Sequence, residues 1–186
     1  MMKMDTQFVQ DYMMPSVDGQ WEIYDMVNEF ADTFETSDDI SLWYGLIVEE
    51  AIEWVNEYVD DGLTPNLLKE YCDILYVLEG YSRLFESNAG DVPETVDQKQ
   101  FKTLMTLLWA AANITLTTFT TEEVMEGFRR VHKSNMSKLT EDGKVLRRED
   151  GKVLKSDQYL PPDLSDLVKG TEYLIEVERI LRGDDD

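Results

Sequence analysis

Two segments determine the fold class expected for this sequence: LWYGLIVEEAIEW, residues 42–54, and LLKEYCDILYVL, residues 67–78. Apolar residues recur three and four positions apart in both segments, which is typical of amphipathic helices. Between them, Asp60-Asp61-Gly62 is a helix-ending sequence, and Thr64-Pro65 is an N-cap followed by proline at the first helical position. A connection this short predicts two antiparallel helices that pack side by side.

Helical periodicity extends over most of the remaining chain. The apolar pattern places Trp43, Trp54 and Trp109 in the expected core. The segments with helical patterns are Gln20–Phe34, Ser41–Val59, residues 64–85, Lys99–Phe119, residues 120–135 and Ser165–Leu181. The sequence therefore predicts a protein built mainly of helices.

A repeated hexapeptide interrupts the helical pattern near the C-terminus. Glu141–Leu146 and Glu149–Leu154 both have the sequence Glu-Asp-Gly-Lys-Val-Leu. Asp-Gly between two short runs of residues indicates the turn of a β-hairpin. A repeat of six residues is too short to be the unit of a solenoid. We therefore expect two similar turns.

Together these patterns predict an all-α fold, with a four-helix-bundle core, flanking helices and a small C-terminal β-hairpin. A chain of 186 residues fits one domain. Within that single domain, 1–186, we expect the core at 20–135, a basic hairpin segment at 136–164 and a C-terminal helix at 165–182.

Composition excludes several classes of function. With 17 Lys and Arg against 39 Asp and Glu, the formal net charge is −22, which argues against binding to nucleic-acid polymers or anionic membranes. No apolar run reaches the ~18 residues of a transmembrane helix, and Met1–Met14 lacks a signal-peptide pattern. The single cysteine, Cys72, fits a reducing cytoplasm, and the single histidine, His132, excludes metal sites that need two imidazoles from one chain.

The charge is distributed unevenly along the chain. Residues 1–128 carry a net charge of −21 and residues 156–186 carry −6, whereas residues 129–155 carry +5. Nine of the 17 Lys and Arg residues lie in this basic segment, 129–155. Such a segment is either a solvated loop that balances the acidic body or a binding site for an anion.

Carboxylates fall within the apolar sectors of the two helices that determine the fold. At about 100° per residue, Glu49, Glu50 and Glu53 share one face of the first helix, and Glu70 and Asp73 share one face of the second. Surface acids normally lie opposite the apolar stripe, and burying carboxylates without partners costs several kcal/mol each. The two acidic faces can meet, so a cation is needed to compensate their charge.

A hard divalent cation is the compensating group that these ligands favour. Carboxylate oxygens without Cys or His suit Mg²⁺, with Mn²⁺ as a substitute, and Mg²⁺ in such sites usually also contacts substrate phosphates. A ferritin-like di-iron centre needs Glu-x-x-His on two helices, whereas this chain has Glu-x-x-Glu and Glu-x-x-Asp. A solvated acidic face without metal remains the alternative, because Glu-Glu pairs arise by chance in so acidic a chain.

The spacing Glu-Glu-x-x-Glu followed by Glu-x-x-Asp, on consecutive helices, resembles the all-α NTP pyrophosphohydrolases of the MazG-like superfamily. That superfamily includes MazG proteins, dimeric dUTPases, dCTP pyrophosphatases and phosphoribosyl-ATP pyrophosphohydrolase. Three later segments resemble a tail found in phage and bacterial MazG-like proteins: His132–Leu139, Arg148–Lys155 and Tyr159–Leu164. The resemblance covers roughly residues 42–164.

The resemblance implies a role for each matched acid. Glu50, Glu53, Glu70 and Asp73 match the metal ligands of the family. Glu49, the first acid of the pair, matches the residue that would orient or deprotonate the attacking water.

The resemblance also implies nucleotide-binding residues in the basic segment. In many members an Asn and a Lys after the fourth core helix contact the nucleotide, and Asn135 and Lys138 match them. Lys133 and Lys155 are further candidates for phosphate binding. Their alternative explanation is a helix C-terminus enriched in cations, which the helix dipole favours.

The function implied by the resemblance is Mg²⁺-dependent hydrolysis of a (d)NTP to the (d)NMP and pyrophosphate, for house-cleaning or nucleotide-pool control. The implied partners are a small-molecule nucleotide and further copies of the chain, as a homodimer or dimer of dimers, in the cytoplasm or the host cytoplasm if phage-encoded. Two alternatives remain open: a phosphoribosyl-ATP pyrophosphohydrolase, and a non-enzymatic acidic decoy or regulatory protein that mimics nucleic-acid charge.

Overall fold

The computed structural model describes residues 2–5, 9–14, 16–85, 89–167 and 179, and this part of the chain is mainly helical, as predicted. The helices are α1 (Val17–Thr33), α2 (Ile40–Asp60), α3 (Pro65–Ser82), α4 (Gln98–Thr118) and α5 (Thr121–Met136). A π-helical turn, Val9–Met13, precedes α1. Two short strands, β1 (Lys3–Asp5) and β2 (Ala89–Asp91), complete the regular elements.

The expected C-terminal helix, 165–182, lies almost entirely outside the described residues. Ser165–Leu167 form a turn, in which the Leu167 N–H donates to the carbonyl of Leu164 at 3.0 Å. Among the helices that are described, none is both long and apolar enough to span a lipid bilayer.

Side chains that cap the first turn explain where the helices begin. Asp39 and Thr64 each accept a backbone N–H from the helix that follows, at 2.8 Å and 3.1 Å. Thr120 and Glu123 form a reciprocal capping box at the start of α5. Such caps satisfy N–H groups that have no partner within the helix. The predicted starts of α2, α3 and α5 are therefore confirmed.

Helix α3 forms the centre of the core and packs against α1, α2, α4 and α5. The most extensive helix contact among the described elements joins α2 and α3, which confirms that these helices are neighbours. Within Leu67–Tyr81 every residue is buried except Lys69, Glu70 and Asp73. Lys69, Glu70 and Asp73 therefore form the part of Leu67–Tyr81 that is not buried, and it lies beside the acidic part of α2.

Tryptophan burial differs from the expectation at one position. Trp43 and Trp54 are buried, as predicted, whereas Trp109 is 53% exposed and its predicted place in the core is wrong. Helix α4 buries a stripe that includes Leu104 and Leu108. Because successive residues are rotated by about 100°, Trp109 lies outside that stripe.

The strand pair connects the N-terminal residues to the end of α3 and was not predicted. β1 and β2 are antiparallel, with Lys3 opposite Asp91. The hydroxyl of Tyr81, on α3, donates to the carbonyl of Asp91 at 2.6 Å. This contact holds β2 against the helical core.

Both copies of the repeated hexapeptide form the same turn, as expected. The Gly143 N–H donates to the carbonyl of Thr140, and the Gly151 N–H donates to the carbonyl of Arg148, each at 2.9 Å. The glycines have φ values of 75° and 98°, a backbone conformation that favours glycine.

The second turn folds back over the connection between α1 and α2. Arg147 and Val153 form an isolated antiparallel bridge on either side of it. The Arg147 guanidinium donates to the backbone carbonyls of Phe34 and Glu35, which follow α1. These contacts place residues 147–153 beside the acidic face of α2.

Two glycines provide a matched test of the α2–α3 packing. A Cβ at Gly80, on α3, would overlap the ring of Trp43, whereas a Cβ at Gly45, on α2, would meet no atom. We expect Gly80→Ala to lower the free energy of unfolding by about 1–3 kcal/mol because the Trp43 ring has to move. Gly45→Ala should raise it by about 0.5–1 kcal/mol through helix propensity. Urea unfolding measures the free energy of unfolding of both variants. Similar changes in the two would contradict the close packing of the Trp43 ring against Gly80.

Candidate functional site

Three carboxylates from α2 and α3 form one cluster. Glu50, Glu53 and Glu70 each offer an oxygen, and these three atoms lie within 4.8 Å of one another. The side chains of Glu50 and Glu70 are only 13% and 12% exposed, whereas Glu53 is exposed. The structure therefore brings together three of the predicted metal ligands, with Glu53 at the solvent edge.

Asp73, the fourth predicted ligand, lies beside this cluster and shares a cation with it. The ammonium of Lys69 is 2.8 Å from a Glu70 oxygen and 2.9 Å from an Asp73 oxygen. Burial lowers the pKa of Lys69, but the charges and hydrogen bonds of Asp73 and Glu70 outweigh it and raise the pKa above its ordinary value. Lys69 therefore stays charged and neutralises part of the acidic group.

Burial and like charge disfavour ionisation of the two buried acids. Burial, followed by the charges of Asp73 and Glu53, raises the pKa of Glu50 to about 8. Burial also raises the pKa of Glu70, although the hydrogen bond from Lys69 acts in the opposite direction. A divalent cation would offset the repulsion and displace the proton that the raised pKa of Glu50 retains at neutral pH.

The donor set fits a hard divalent cation. The candidate ligands are all carboxylate oxygens, which Mg²⁺ and Mn²⁺ prefer. Oε2 of Glu70 is buried and has no hydrogen-bond partner among the described residues. A buried acceptor without a hydrogen bond costs about 1–3 kcal/mol. A cation bound between the carboxylates would give this oxygen of Glu70 a partner and so remove the cost.

Glu49 points to the basic segment instead of the cluster. Lys152 and Arg148 bind its two carboxylate oxygens, Arg148 at 3.0 Å, and the Lys152 ammonium is also 3.8 Å from Glu50. Burial raises the pKa of Glu49, but its hydrogen bonds with Lys152 and Arg148 outweigh this and hold the pKa below its ordinary value. Glu49 is therefore ionised and held by two cations.

One pocket joins the acids, the cations and an apolar wall. Glu50 and Asp73 line it together with Lys138, Lys152 and Asn135. The apolar side chains of its wall are Phe30, Leu42, Trp43, Leu46, Tyr76, Val77 and Val153. A mostly apolar wall with a few converging charged groups is typical of small-molecule sites. The pocket has a volume of about 80 Å³ and places apolar side chains directly beside acidic and basic groups.

The structure brings two of the four predicted substrate-binding residues to this pocket. Asn135 and Lys138 line it. Lys133 is exposed and lines a separate depression with Arg129 and Arg130. The ammonium of Lys155 lies over the ring of Tyr159, 4.6 Å from its centroid, and does not line the pocket.

Two cations of the site were not selected from the sequence. The i, i+4 spacing of Lys69 and Asp73 is typical of an ion pair on a helix and could have identified Lys69. Lys152 is equivalent to Lys144 in the repeat, so the sequence does not distinguish them. Only the fold-back of the second turn shows that Lys152 reaches Glu49.

The chain matches no known protein-family model, no curated protein and no solved structure. The support for a function therefore comes from the spacing of its motifs and from the geometry of the pocket.

The raised pKa of Glu50 predicts how the stability of the metal-free protein depends on pH. Between the ordinary carboxyl pKa and about 8, folded Glu50 holds a proton that the unfolded chain has released, so stability falls as pH rises through this window. Burial raises the pKa of Glu79 to about 7, which adds to the decline. Thermal unfolding with a chelator should show Tm falling from about pH 5 to about pH 9, and falling less in Glu50→Gln.

Glu79→Gln is the matched control, since it removes a buried acid more than one turn beyond Asp73 on α3. Mg²⁺ should raise the Tm of wild type and of Glu79→Gln, most strongly at high pH, because Glu50 binds the ion only after losing its proton. The rise in Tm caused by Mg²⁺ should be lost in Glu50→Gln. A wild-type Tm that rises steadily over the same pH range would contradict the raised pKa of Glu50.

Proposed function

We propose that this chain is a MazG-like, Mg²⁺-dependent nucleotide pyrophosphohydrolase that converts a (d)NTP to the (d)NMP and pyrophosphate. The main support is a single pocket that contains acids of the candidate metal site, Glu50 and Asp73, together with the cations Lys138 and Lys152. A decoy that mimics nucleic-acid charge needs its acids at the surface, not in a pocket beside cations.

The carboxylates of Glu50, Glu53, Glu70 and Asp73 would hold the Mg²⁺. This ion, when bound, would offset the charge of the substrate phosphates and polarise their phosphorus–oxygen bonds. Lys69 already balances part of the charge on Glu70 and Asp73. It thereby lowers the repulsion between the acidic residues and an incoming triphosphate.

Lys152 and Arg148 have two alternative sets of partners in the proposed reaction. Without ligand, both cations bind Glu49. The phosphate oxygens of a triphosphate are strong acceptors for Lys and Arg, and would draw the cations away from Glu49. The pKa of Glu49 would then rise from its lowered value, which suits a base that orients or deprotonates the attacking water.

Lys138 connects the acidic and the apolar parts of the pocket. Its ammonium lies 5.9 Å from the centroid of the Phe30 ring. Burial lowers the pKa of Lys138, although Asp73 and Glu50 act in the opposite direction. In this position Lys138 would bind a phosphate close to the nucleoside, while the base packs on the apolar wall.

The finer architecture and the assembly are part of the same proposal. We propose a four-helix-bundle core, a small hairpin within 136–164, a homodimer or dimer of dimers, and a cytoplasmic location. Ile52, Val59 and Trp109 are exposed apolar side chains that a second copy would cover. Since Ile52 is adjacent to Glu53 on α2, a partner there would also shield the carboxylates from water.

Incubation of the full chain with Mg²⁺ and a panel of dNTPs, NTPs, phosphoribosyl-ATP and modified nucleotides tests the type of reaction. We expect a monophosphate and pyrophosphate as products. Glu50→Gln and Asp73→Asn should lower kcat at least about 100-fold, because each removes a charge that acts in the transition state. Glu94→Gln, an exposed acid in the turn before α4, is the control and should have no effect.

The products and substrates distinguish the alternatives. Diphosphate plus phosphate, or no turnover with any nucleotide and either Mg²⁺ or Mn²⁺, would overturn the proposal. Turnover restricted to phosphoribosyl-ATP would instead assign the biosynthetic alternative.

The repeated turn offers a matched pair of lysines. Lys152 contacts Glu49 and lines the pocket, whereas Lys144, at the equivalent position of the first copy, is 76% exposed and pairs with Asp142. We expect Lys152→Met to lower kcat/KM about 10- to 100-fold, the size of effect expected for losing one charged contact to phosphate. Lys144→Met should leave kcat/KM unchanged. If steady-state assays show the same change of kcat/KM in Lys152→Met and Lys144→Met, the second turn does not contribute to substrate binding as proposed.

A further inference from the structure

Lys69 bridges two of the candidate metal ligands. Its ammonium lies 2.8 Å from Oε1 of Glu70 and 2.9 Å from Oδ2 of Asp73. These two acids are its ion-pair partners among the residues that the structure describes. The positive charge of Lys69 therefore lies inside the acidic site, where it bears on how many divalent ions the carboxylates can hold.

The position of Lys69 differs from that of the cations that face the pocket. Its side chain is 25% exposed, and Lys69 is not among the described residues that line the pocket, whereas Lys138 and Lys152 are. Lys69 also belongs to the closely packed part of α3, where most neighbouring residues are buried. Its ammonium is therefore placed to hold Glu70 and Asp73, not to bind a ligand in the pocket.

The two oxygens of Glu70 have different surroundings. Oε1 contacts Lys69, whereas Oε2 is buried and has no hydrogen-bond partner among the described residues. Glu70 also belongs, with Glu50 and Glu53, to the group of acids whose oxygens lie within 4.8 Å of one another. Glu70 can therefore bind the ammonium through one oxygen and a divalent ion through the other.

The ammonium of Lys69 fills the space that a second ion would need. Asp73 lies outside the group of three acids, and its Oδ2 is held by Lys69. A Mg²⁺ ion bound by both Glu70 and Asp73 would lie about 2.0–2.1 Å from their oxygens, in the region of the ammonium. Repulsion between the ammonium and the ion would also disfavour this position. Oδ1 of Asp73 is left for the first ion, or for a water molecule bound to it.

The balance of charge agrees with one ion. When ionised, the four candidate ligands carry four negative charges. One Mg²⁺ and Lys69 balance three of them, and the ammonium of Lys152, 3.8 Å from Glu50, lies close to the fourth. A second Mg²⁺ would add two positive charges without further carboxylates to match them, and such an excess is unfavourable beside a buried ammonium.

We propose that Lys69 takes the place of a second divalent cation, so that this acidic site binds one Mg²⁺ and not two. The ion lies among Glu50, Glu53 and Glu70, and the ammonium joins Glu70 to Asp73. The site then differs from two-ion sites, in which the metals lie about 3.5–4 Å apart. Lys69 is a positioning residue, since it holds two ligands and touches no substrate. This inference rests on the proposed function, which supplies the ion.

Titration of the full-length protein with Mn²⁺, followed by electron paramagnetic resonance, tests the number of ions. The signal of free Mn²⁺ gives the number bound, and two Mn²⁺ ions about 4 Å apart give a coupled spectrum that a single ion does not. We expect wild type to bind one ion at the cluster, with an uncoupled spectrum. Glu50→Gln identifies this ion, because Mn²⁺ bound elsewhere on the acidic surface remains in that variant.

Substitutions of Lys69 test what excludes the second ion. Lys69→Ala should increase the number of ions at the cluster from one to two, with a coupled spectrum, because it removes the ammonium. Lys69→Arg keeps a cation and should bind one ion. Lys144→Ala, which removes an exposed lysine paired with Asp142, is the control and should also bind one. Loss of structure would not produce a gain of one ion.

A second variant covers the case in which Lys69→Ala does not fold. Glu70 and Asp73 lack a compensating charge in that variant until Mn²⁺ binds. Lys69→Gln retains a polar side chain that can bond both acids, and it too should bind two ions because its amide carries no charge. Circular dichroism reports whether each variant is folded.

The outcomes separate this inference from the proposed function. Two coupled ions in wild type, or one ion in folded Lys69→Ala or Lys69→Gln, would overturn the role of Lys69 and leave the metal site in place. Absence of Mn²⁺ from the cluster of wild type would overturn the proposed function, and this inference with it.

Discussion

The repulsion among Glu50, Glu53 and Glu70 is the constraint on which the rest of the structure around the pocket depends. Three carboxylates from two packed helices approach within 4.8 Å, and two of them are largely removed from water. Such an arrangement is stable only where positive charge lies nearby or where a carboxyl group retains its proton. Lys69 supplies one charge from within α3, and Lys152 supplies another from the second turn. A divalent cation would complete the compensation.

The fold holds this unfavourable cluster in place through the buried remainder of α3. Apart from Lys69, Glu70 and Asp73, all residues from Leu67 to Tyr81 are buried. The helix therefore cannot rotate these three side chains away from α2 without exposing apolar surface. The tight contact of Gly80 with Trp43 limits sliding of the two helices. Hydrophobic burial therefore compensates for the electrostatic cost of the site.

Much of the fold and the acidic half of the site could be predicted from the sequence, because helix caps and i, i+3, i+4 spacing are local properties. The starts of α2, α3 and α5 and the meeting of Glu50, Glu53 and Glu70 follow from such spacing. The contacts of Lys152 and the hydrogen bonds that join Tyr76, His132 and Glu29 depend on long-range folding, which local spacing does not encode. The exposure of Trp109 likewise depends on which stripe of α4 faces the core.

Diffraction from crystals soaked in Mn²⁺, with anomalous scattering to locate the ion, tests the central claim most directly. The proposed site predicts Mn²⁺ in direct contact with carboxylate oxygens of Glu50, Glu53 and Glu70, including the buried Oε2 of Glu70 that has no partner among the described residues. Mn²⁺ bound only elsewhere on this acidic protein, with the cluster empty at saturating ion, would contradict it.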